Sequence, residues 1–500
     1  MALLAAISAV GALLTILIWW YLHVPSNMPK NIPTIPFYVS SIAQFVDLGQ
    51  DKIYDRWLRE PLEKYGAVKF FVASQWNVLC ARPEYINGLL RNDDVFVKSG
   101  NCEKIPYSVN ARFLGNNIIS AHGETWKLYS SIMKAGIQRR IADTGKLVKR
   151  SRQLVDSLLR AQEAVKGGSG VEPDPLLQRY AIYVAGDNFF HTDFETLEFD
   201  IATRLGKLQT AIRGHIFAPL FFSFPILDKY PNIFRNRKRA FSDVKKYEDI
   251  LYEIALRPRC QSTLVNDDSK GSNTTSEERQ VIDDLKDALT RGKINETQFR
   301  ANVKIVFLAG HEDVQHLLSS ALYVLGTRTD VQQKLRTEIQ NTSITAPTPE
   351  TLENMSYLSA TLFELLRLYP PISQLTNRKT TFTPAVLGND IVIPPNTYVG
   401  WTAFGVHTNK SVWGEDAREF VPERWGATVE TIRNKFRREN ARGAFIPFNA
   451  FSRKCLGQGF ALLQMKVVLF ELVRRCEWML DTESGMQITR VGLGSSSSSS

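Results

Sequence analysis

Cysteine is scarce in this 500-residue chain, and its five copies are scattered. They are odd in number and include no pair at CxxC spacing; they are Cys80, Cys102, Cys260, Cys455 and Cys476. A disulfide framework normally uses an even set of cysteines, and a structural zinc site needs ligands at short spacing. We therefore expect neither, and we expect the chain to fold in a reducing compartment.

Charged residues are absent from the start of the chain, where Lys30 is the first. Residues 2–24 are almost continuously apolar, and a helix of about 22 residues crosses the hydrocarbon core of a bilayer. Trp19, Trp20 and Tyr21 stand where an interfacial aromatic belt is expected. A cleaved signal peptide is the alternative, although it normally begins with charge and has a shorter apolar core. The sequence predicts a single-pass membrane anchor at residues 1–24, with the large domain in the cytosol because Lys30 follows the span.

A concentrated basic tail is also missing, although the formal net charge is +10. The basic residues are spread along the chain and accompany no nucleic-acid motif, so a nucleic-acid partner is not expected. Anionic membrane lipid or an acidic protein partner explains the excess. One basic segment is either a docking surface for such a partner or an ordinary solvated surface. It contains Arg433, Lys435, Arg437, Arg438 and Arg442.

The remaining patterns predict one folded body, residues 37–493, behind a stiff proline-rich spacer at 25–36. Surface loops are expected at 166–175 and 261–280, and a disordered serine tail at 494–500. Apolar residues recur at intervals of three and four in the segments 144–162, 240–257, 296–326, 350–369 and 457–476, which predicts helices there. Strand-like runs lie at 68–72, 78–81, 391–393 and 398–402. The predicted fold class is mainly α with a small β-rich portion.

The last cysteine-bearing loop carries the strongest local signal. Its segment from Phe448 to Gly457 delivers Cys455 to the start of a long apolar-periodic segment. A helix N-terminus presents free N–H groups and a partial positive charge, so it stabilises a thiolate. A lone cysteine before a core helix is more often simply buried, and the neighbouring motifs decide between these interpretations.

Two further motifs precede this loop. Glu364 and Arg367 lie three residues apart on one helix face, in a charge-poor segment that ends at a proline pair. Arg424 follows within the segment PERW. By themselves Glu364 and Arg367 would be interpreted as an exposed ion pair, but the order of all the motifs favours a common role.

Together these motifs resemble those of the cytochrome P-450 superfamily, whose haem-binding signature is FxxGxRxCxG. The resemblance implies a P-450-like fold, haem b as the cofactor and Cys455 as the axial ligand of the haem iron. Such a thiolate ligand pushes electron density towards O–O cleavage. Arg453 is expected to pair with a haem propionate, and Phe448 to pack near the sulfur. Phe451 stands where the signature has its first glycine.

The resemblance also implies roles for residues outside the cysteine loop. Trp126 and Arg378 are expected to contact the haem together with Arg453, although Ser130 replaces the arginine usually found after that tryptophan. A buried structural triad is expected from Glu364, Arg367 and Arg424.

On the distal side, the segment AGHED resembles the oxygen-binding segment AGx(D/E)T of the superfamily. Gly310 is expected to permit close approach or a local kink in the helix. Glu312 is expected to help deliver protons, with a solvated acidic helix face as the alternative. Asp313 replaces the threonine of the segment, so proton delivery must differ from that of other members.

Several stretches are similar to one fungal branch of the superfamily, whose members form dityrosine by oxidising N-formyltyrosine. They are residues 29–39, 63–71, 98–108, 309–312 and 424–433. The similarity implies an oxidoreductase that uses O2 and electrons from an NADPH-dependent flavoprotein reductase. Its small-molecule substrate would be a tyrosine-derived or other aromatic amino-acid metabolite, oxidised or coupled at the endoplasmic reticulum membrane.

Three alternatives stay open. The chain could be a hydroxylating monooxygenase of a fungal secondary-metabolite pathway of the isocyanide type. It could belong to another class, a degenerate haem binder without turnover, for which Phe451 and Asp313 are the only support. It could also isomerise a peroxide without a reductase. Lys104 and Arg112, in an expected lid segment, are candidate cations for a substrate carboxylate.

Overall fold

The computed structural model describes residues 2–42, 46, 49–139, 143–165, 170–195, 201–257, 279–481 and 485–490. Cys260, the segments 166–169 and 261–278 of the two predicted loops, and the serine tail lie outside the described residues.

The described helices are, in chain order, α1 Ala2–Leu22, α2 Val39–Ile42, α3 Gln50–Ile53, α4 Arg59–Tyr65, α5 Pro83–Arg91, α6 Asn101–Lys104, α7 Val109–Leu114, α8 Gly123–Gln138, α9 Gly145–Ala164, α10 Asp174–Phe189, α11 Ile201–Ile216, α12 Pro219–Ser223, α13 Arg235–Leu256, α14 Val281–Thr290, α15 Glu296–Thr327, α16 Thr329–Asn341, α17 Pro349–Glu353, α18 Ser356–Leu368, α19 Ala403–His407, α20 Lys410–Trp413, α21 Val429–Arg442 and α22 Gln458–Arg475. The strands are β1 Ala67–Val72, β2 Gln75–Cys80, β3 Phe96–Lys98, β4 Gln374–Thr380, β5 Ala385–Leu387, β6 Ile391–Ile393, β7 Tyr398–Thr402, β8 Cys476–Asp481 and β9 Gly485–Arg490. The predicted fold class, mainly α with a small β-rich portion, is confirmed.

Four of the five predicted helices form as single helices, namely α9, α13, α15 and α22. The fifth, 350–369, is two helices, α17 and α18. A side chain of another helix caps the start of α18, where this segment is broken. Glu338 of α16 accepts hydrogen bonds from the backbone N–H groups of Tyr357 (2.7 Å) and Leu358 (2.8 Å). This carboxylate satisfies free N–H groups at the start of α18 and interacts favourably with its positive end. A contact between distant segments therefore sets the boundary.

Helix α15 is the longest of the described elements. A capping box fixes its start, with Asn295 and Gln298 exchanging hydrogen bonds between side chain and backbone. Most of its side chains are buried, and it packs against α10, α13 and α14. A helix that is covered on nearly all sides carries apolar residues all round, and its middle lies deep in the protein.

The main sheet has five strands in the order β1-β2-β7-β4-β3, with β2 and β7 parallel and the other pairs antiparallel. The register of β4 against β7 shifts between Leu375 and Arg378. Gly400 of β7 makes this irregularity possible, because a Cβ atom there would collide with the Leu375 carbonyl. The bulge re-aims the residues that follow it, and Arg378 is one of them.

The N-terminal segments pack against this sheet. Helix α1 covers the predicted anchor, and within the described residues no helix meets the requirements of length and apolarity for a membrane span. The single-pass span therefore stays a prediction. The proline-rich spacer begins with a turn at Pro25 to Met28, and its end lies along β1, where Lys69 exchanges backbone hydrogen bonds with Pro33 and Ile35. Since Ile32 and Ile35 are buried there, the spacer is also part of the packing of the body.

A fully buried carboxylate, Glu364 of α18, accepts hydrogen bonds from four other residues. Arg367 donates from Nε and Nη2, both at 2.8 Å, and Arg424 donates from Nε at 2.8 Å. The Trp425 indole (2.9 Å) and the Val421 backbone N–H (3.0 Å) complete the set. The residues of the predicted triad are thus in contact, and they join α18 to the PERW turn.

His407 connects this network to the cysteine loop. Its carbonyl accepts a hydrogen bond from Arg367 Nη1 (2.7 Å), and its Nε2 accepts one from the Ile446 backbone N–H (2.9 Å). Burial, with the nearby Arg367 charge, lowers the pKa of His407 to about 3, so the ring is neutral. Because Nε2 accepts, Nδ1 carries the proton and donates it to the Arg367 carbonyl (3.1 Å). The start of the cysteine loop is thereby fastened to the buried charges.

Replacing Glu364 by glutamine should destabilise the protein strongly. The change leaves the buried Arg367 guanidinium without a counter-charge and leaves Arg424 with Asp416 alone, and an unpaired buried charge costs about 3–5 kcal/mol of the free energy of unfolding. Urea unfolding followed by circular dichroism measures the effect. Glu423→Gln is the matched control, because the Glu423 carboxylate is half exposed on the same PERW turn and pairs with Lys334. Equal midpoints for the two variants would contradict the structural role of Glu364.

Candidate active site

The cysteine loop runs from α21 to α22 and is held by short-range hydrogen bonds. Asn440 of α21 donates from Nδ2 to the carbonyls of Phe445 (2.8 Å) and Asn449 (3.0 Å). The Cys455 backbone N–H donates to the Phe448 carbonyl (2.9 Å). The Phe448 ring packs against the main hydrophobic core. The contact between Phe448 and Cys455 is therefore this backbone hydrogen bond. These contacts place Cys455 just ahead of α22.

The Cys455 side chain is both accessible and largely surrounded by protein. Among the described cysteines it is the exposed one, while Cys80 and Cys476 are buried. Protein nevertheless surrounds it, and this loss of hydration raises the pKa of its thiol to about 11, opposed by hydrogen bonds from the backbone N–H groups of Gly457 and Gln458. A side chain that is accessible to small molecules and surrounded by protein lies at a cavity wall. A metal cation would favour its thiolate form.

Two arginines close to the loop have buried donors without partners in the described part of the chain. Arg378 Nη1 donates to Asp93 Oδ1 (2.7 Å) and to the Phe96 carbonyl (2.8 Å), but its Nε and Nη2 have no acceptor. Arg453 Nη2 donates to the Ala121 carbonyl (2.6 Å), while its Nη1 has none. The Arg453 guanidinium also lies 4.4 Å from the Trp126 ring centroid. Buried donors of this kind need an acceptor from a bound group.

Lys98 is a third cation of this site, which the motifs did not identify. It is opposite Arg378 in the pairing of β3 with β4, and its Nζ donates to Asn377 Oδ1 (3.0 Å). Burial, together with the charges of Arg378 and Arg453, holds the pKa of Lys98 well below its usual range. In the sequence, Lys98 is only a lysine on a short strand. The strand pairing that brings it opposite Arg378 joins residues 280 positions apart in the chain.

The chemistry of this donor set fits haem b. Three cations with one directly bonded carboxylate, Asp93, leave an excess of positive charge where two propionate groups would bind. The three unpartnered guanidinium nitrogens supply donors for them. The Cys455 sulfur supplies the single soft ligand that haem iron requires. Ser130, which replaces an arginine of the superfamily, contributes no charge to this set.

On the opposite wall, α15 presents Ala309 and Asp313. Ala309 is exposed and Asp313 is half-buried, although their neighbours on the helix are mostly buried. The Asp313 charge raises the pKa of the Cys455 thiol, so the two side chains lie near the same cavity. Burial, followed by the nearby Glu312 charge, raises the pKa of Asp313 to about 7. A carboxyl with this pKa holds a proton at neutral pH for part of the time.

The other distal residues turn towards neighbouring helices. Gly310 lies against α10, where an added Cβ would be 3.1 Å from the Phe189 ring, so its role is close helix approach. Glu312 accepts a hydrogen bond from Arg213 Nη1 of α11 (2.6 Å). His311 is buried and bonds to the Gln209 amide oxygen (2.9 Å). Of the two acids in this segment, Asp313 is therefore the one whose charge acts on the Cys455 thiol.

Phe451 adopts a backbone conformation that favours glycine. Its φ is +57°, in the left-handed region, which costs a residue with a Cβ about 1–2 kcal/mol. The ring packs against the cluster of buried residues that includes Ile446 and Ala450, and the Arg91 guanidinium lies 4.4 Å from its centroid. These contacts offset the strain and explain how the turn forms without the glycine of the signature.

A double-mutant cycle tests this compensation. In the Phe451 protein, Arg91→Ala should lower the free energy of unfolding by about 0.5–1 kcal/mol, because a cation–π contact at an exposed site is lost. In the Phe451→Gly background, the same change should have almost no effect, since no ring remains. Urea midpoints measure all four proteins, with Arg56→Ala as a control because Arg56 lies over Trp57 instead (4.9 Å). Equal effects of Arg91→Ala in both backgrounds would refute the contact.

Comparison with known proteins identifies the family of this chain. The cytochrome P-450 family profile matches residues 33–496. The chain is similar to cytochrome P-450 monooxygenase xanG of Aspergillus fumigatus, with 46% identity over 473 residues, 94% of this chain and 86% of that protein. It is 38% identical to cytochrome P-450-DIT2 of Saccharomyces cerevisiae over 469 residues, 94% of this chain and 91% of that protein. The chain therefore belongs to the cytochrome P-450 family of haem b monooxygenases.

Proposed function

We propose that this cytochrome P-450 oxidises or couples a tyrosine-derived or other aromatic amino-acid metabolite, with Cys455 as the axial ligand of its haem iron. The observation that carries the site assignment is the Cys455 sulfur at a cavity wall beside Arg378, Arg453 and Lys98. The substrate assignment is supported by the stretches similar to the dityrosine-forming fungal branch and by the similarity to two fungal members across 94% of the chain.

The protein's own residues have separable tasks in this proposal. Bound haem supplies dioxygen activation, which the thiolate ligand assists. Cys455 provides that thiolate, and the three cations orient the group through its propionates. The Trp126 ring holds the Arg453 guanidinium in place from its other side.

Asp313 is proposed as the proton donor on the distal side, in place of the threonine of other members. It lies near the cavity and its pKa of about 7 allows it to hold a proton. Glu312, the neighbour of Asp313 in the chain, accepts a hydrogen bond from Arg213 Nη1 of α11. His316 Nε2 lies 3.1 Å from the same nitrogen. These groups form a polar chain from Glu312 to α11.

Removal of the Asp313 carboxyl should uncouple electron use from product formation. Asp313→Leu is expected to lower product formed per NADPH by about 100-fold, the usual contribution of a general acid, and to raise hydrogen peroxide release. Asp313→Thr should recover part of the product, because a hydroxyl is restored. Asp330→Asn, at an exposed acid on α16, serves as the control. Unchanged product per NADPH in Asp313→Leu would exclude this role.

Membrane attachment is proposed through α1 and an adjoining apolar patch. The apolar side chains of α1 from Ile7 to Trp20 are exposed, and so are Phe217, Leu220, Tyr230 and Ile233 around α12. The Tyr21 ring lies 6.0 Å from that of Phe224, which brings the patch to the end of α1. Exposed apolar patches of this kind bind lipid. We place the protein at the endoplasmic reticulum membrane with its catalytic domain in the cytosol.

Members of the family take electrons from a redox partner, and we propose an NADPH-dependent flavoprotein reductase here. The exposed residues Arg433, Arg437, Arg438 and Arg442 of α21 form a basic surface beside the cysteine loop, and such a surface steers an acidic partner. Lys435 does not belong to this surface, because its Nζ donates to the Arg424 carbonyl and lies over the Trp413 and Trp425 rings.

A hydroxylating monooxygenase of secondary metabolism is the second candidate function. It is favoured by the identity to the Aspergillus fumigatus monooxygenase, 46% against 38% for the yeast protein. Both candidates use the same site, and they differ in the product. Coupling joins two phenolic molecules with loss of two hydrogen atoms, whereas hydroxylation adds one oxygen atom to a single molecule.

Metabolite comparison between a deletion strain, its parent and a complemented strain, all fed ring-labelled tyrosine, tests the function. The deletion strain should accumulate a labelled precursor and lack a labelled oxidised product, and complementation should restore it. The mass of that product distinguishes coupling from hydroxylation. If the compounds that change carry no label from tyrosine or from a second feeding with tryptophan or phenylalanine, the aromatic amino-acid proposal is wrong.

A further inference from the structure

Lys104, the last residue of α6, is a cation among neutral groups. Its Nζ donates to Asn77 Oδ1 of β2 (2.6 Å), and it lies 3.4 Å from both the carbonyl and the Oγ1 of Thr376 on β4. The Tyr398 ring of β7 covers another side, with its centroid 4.5 Å from Nζ. The ammonium group is therefore surrounded by an amide, a hydroxyl, a carbonyl and an aromatic face.

Arg112 of α7 and Lys304 of α15 share a carboxylate partner, whereas Lys104 has none among the described residues. Arg112 is half exposed and lies 3.3 Å from Glu248, and Lys304 lies 3.1 Å from the same carboxylate. Loss of hydration alone lowers the pKa of Lys104 to about 7. Burial of an uncompensated ammonium group is costly, and an anionic ligand beside Lys104 would favour its charged form.

The hydrogen bonds of Lys104 leave room for such a ligand. One bond, to Asn77, is short, and the two contacts with Thr376 are at the long limit for N–H···O bonds. Asn77 itself is fixed, because its Nδ2 donates to the carbonyls of Gln75 (2.7 Å) and Val72 (3.1 Å). Lys104 is thus held in position by one strong bond while two of its protons are weakly engaged.

The position of Lys104 relates this group to the cofactor site. Thr376, Asn377 and Arg378 are consecutive on β4, and they contact Lys104, Lys98 and Asp93, respectively. The preceding residues, Ile372 to Thr376, are exposed or half-buried, in contrast to the buried Arg378. The Lys104 group therefore lies beside the proposed haem cradle, on an accessible stretch of the same strand.

We propose that Lys104, positioned by Asn77 and Thr376, binds a carboxylate of the substrate, so that this enzyme acts on an organic acid. The inference rests on the proposed function for the identity of the remainder of the substrate. Lys98 is not an equivalent site, because Arg378 and Arg453 surround it and the haem propionates account for their charge. Arg112 is excluded as the main carboxylate ligand by its bond to Glu248.

Calorimetric titration of the purified holoprotein with two pairs of probes tests this site. The first pair is N-formyl-L-tyrosine and its carboxamide, and the second is decanoate and decanamide. The protein should bind at least one acid more tightly than its amide by about 10- to 100-fold, the usual effect of a charged hydrogen bond. Lys104→Met should abolish this preference and Lys104→Arg should retain most of it. Lys64→Met is the matched control, since exposed Lys64 lies 5.3 Å from the Tyr65 ring.

The outcomes separate this inference from the proposed function. A Lys104-dependent preference seen only with decanoate supports the carboxylate site and contradicts the aromatic amino-acid substrate. An absent preference in both pairs overturns the site, as does a preference that survives in Lys104→Met. A lowered melting temperature with an unchanged acid-to-amide ratio also overturns it, because Lys104 would then only join α6 to the sheet. If Lys104→Met does not fold, Lys104→Gln takes its place under the same criteria.

Discussion

The buried carboxylate of Glu364 is the constraint on which the rest of the site depends. It has no exposure and accepts bonds from two guanidinium groups, an indole and a backbone N–H. These donors come from α18 and from the PERW turn, and His407 extends the network to Ile446. The loop that carries Cys455 therefore starts from a fixed point. A sulfur ligand needs such positioning, because a metal bond tolerates little displacement.

Charge is distributed unevenly between the two faces of the cavity. On one side lie Lys98 and two arginines, Arg378 and Arg453, whose buried donors lack acceptors among the described residues. On the other side lies Asp313 with a raised pKa. Both features cost stability in the isolated chain, since buried polar groups without partners are unfavourable. A bound group with anionic substituents compensates the first, and proton transfer makes use of the second. The unfavourable burial of these groups is thus offset only when the protein binds its cofactor and turns over its substrate.

The sequence predicted four of the long helices as single elements and the residues of the buried triad. The helices α9, α13, α15 and α22 follow from apolar spacing, and the contacts of Glu364 with Arg367 and Arg424 follow from motif position. By contrast, Glu338 caps α18 from another helix, Lys98 reaches Arg378 by strand pairing, and Arg91 stabilises the Phe451 turn across the loop. These are contacts between residues far apart in the chain, which periodicity and spacing do not show.

The ferrous–carbon monoxide difference spectrum of the purified protein, produced with ample haem, tests the central claim most directly. The wild-type protein and Cys102→Ser should show the red-shifted Soret band of thiolate-ligated haem, because Cys102 lies outside the cradle with its Sγ near the Ala111 carbonyl. Cys455→Ser should lose that band. A protein without porphyrin, or an unchanged spectrum in Cys455→Ser, would contradict the assignment of Cys455 as the haem ligand.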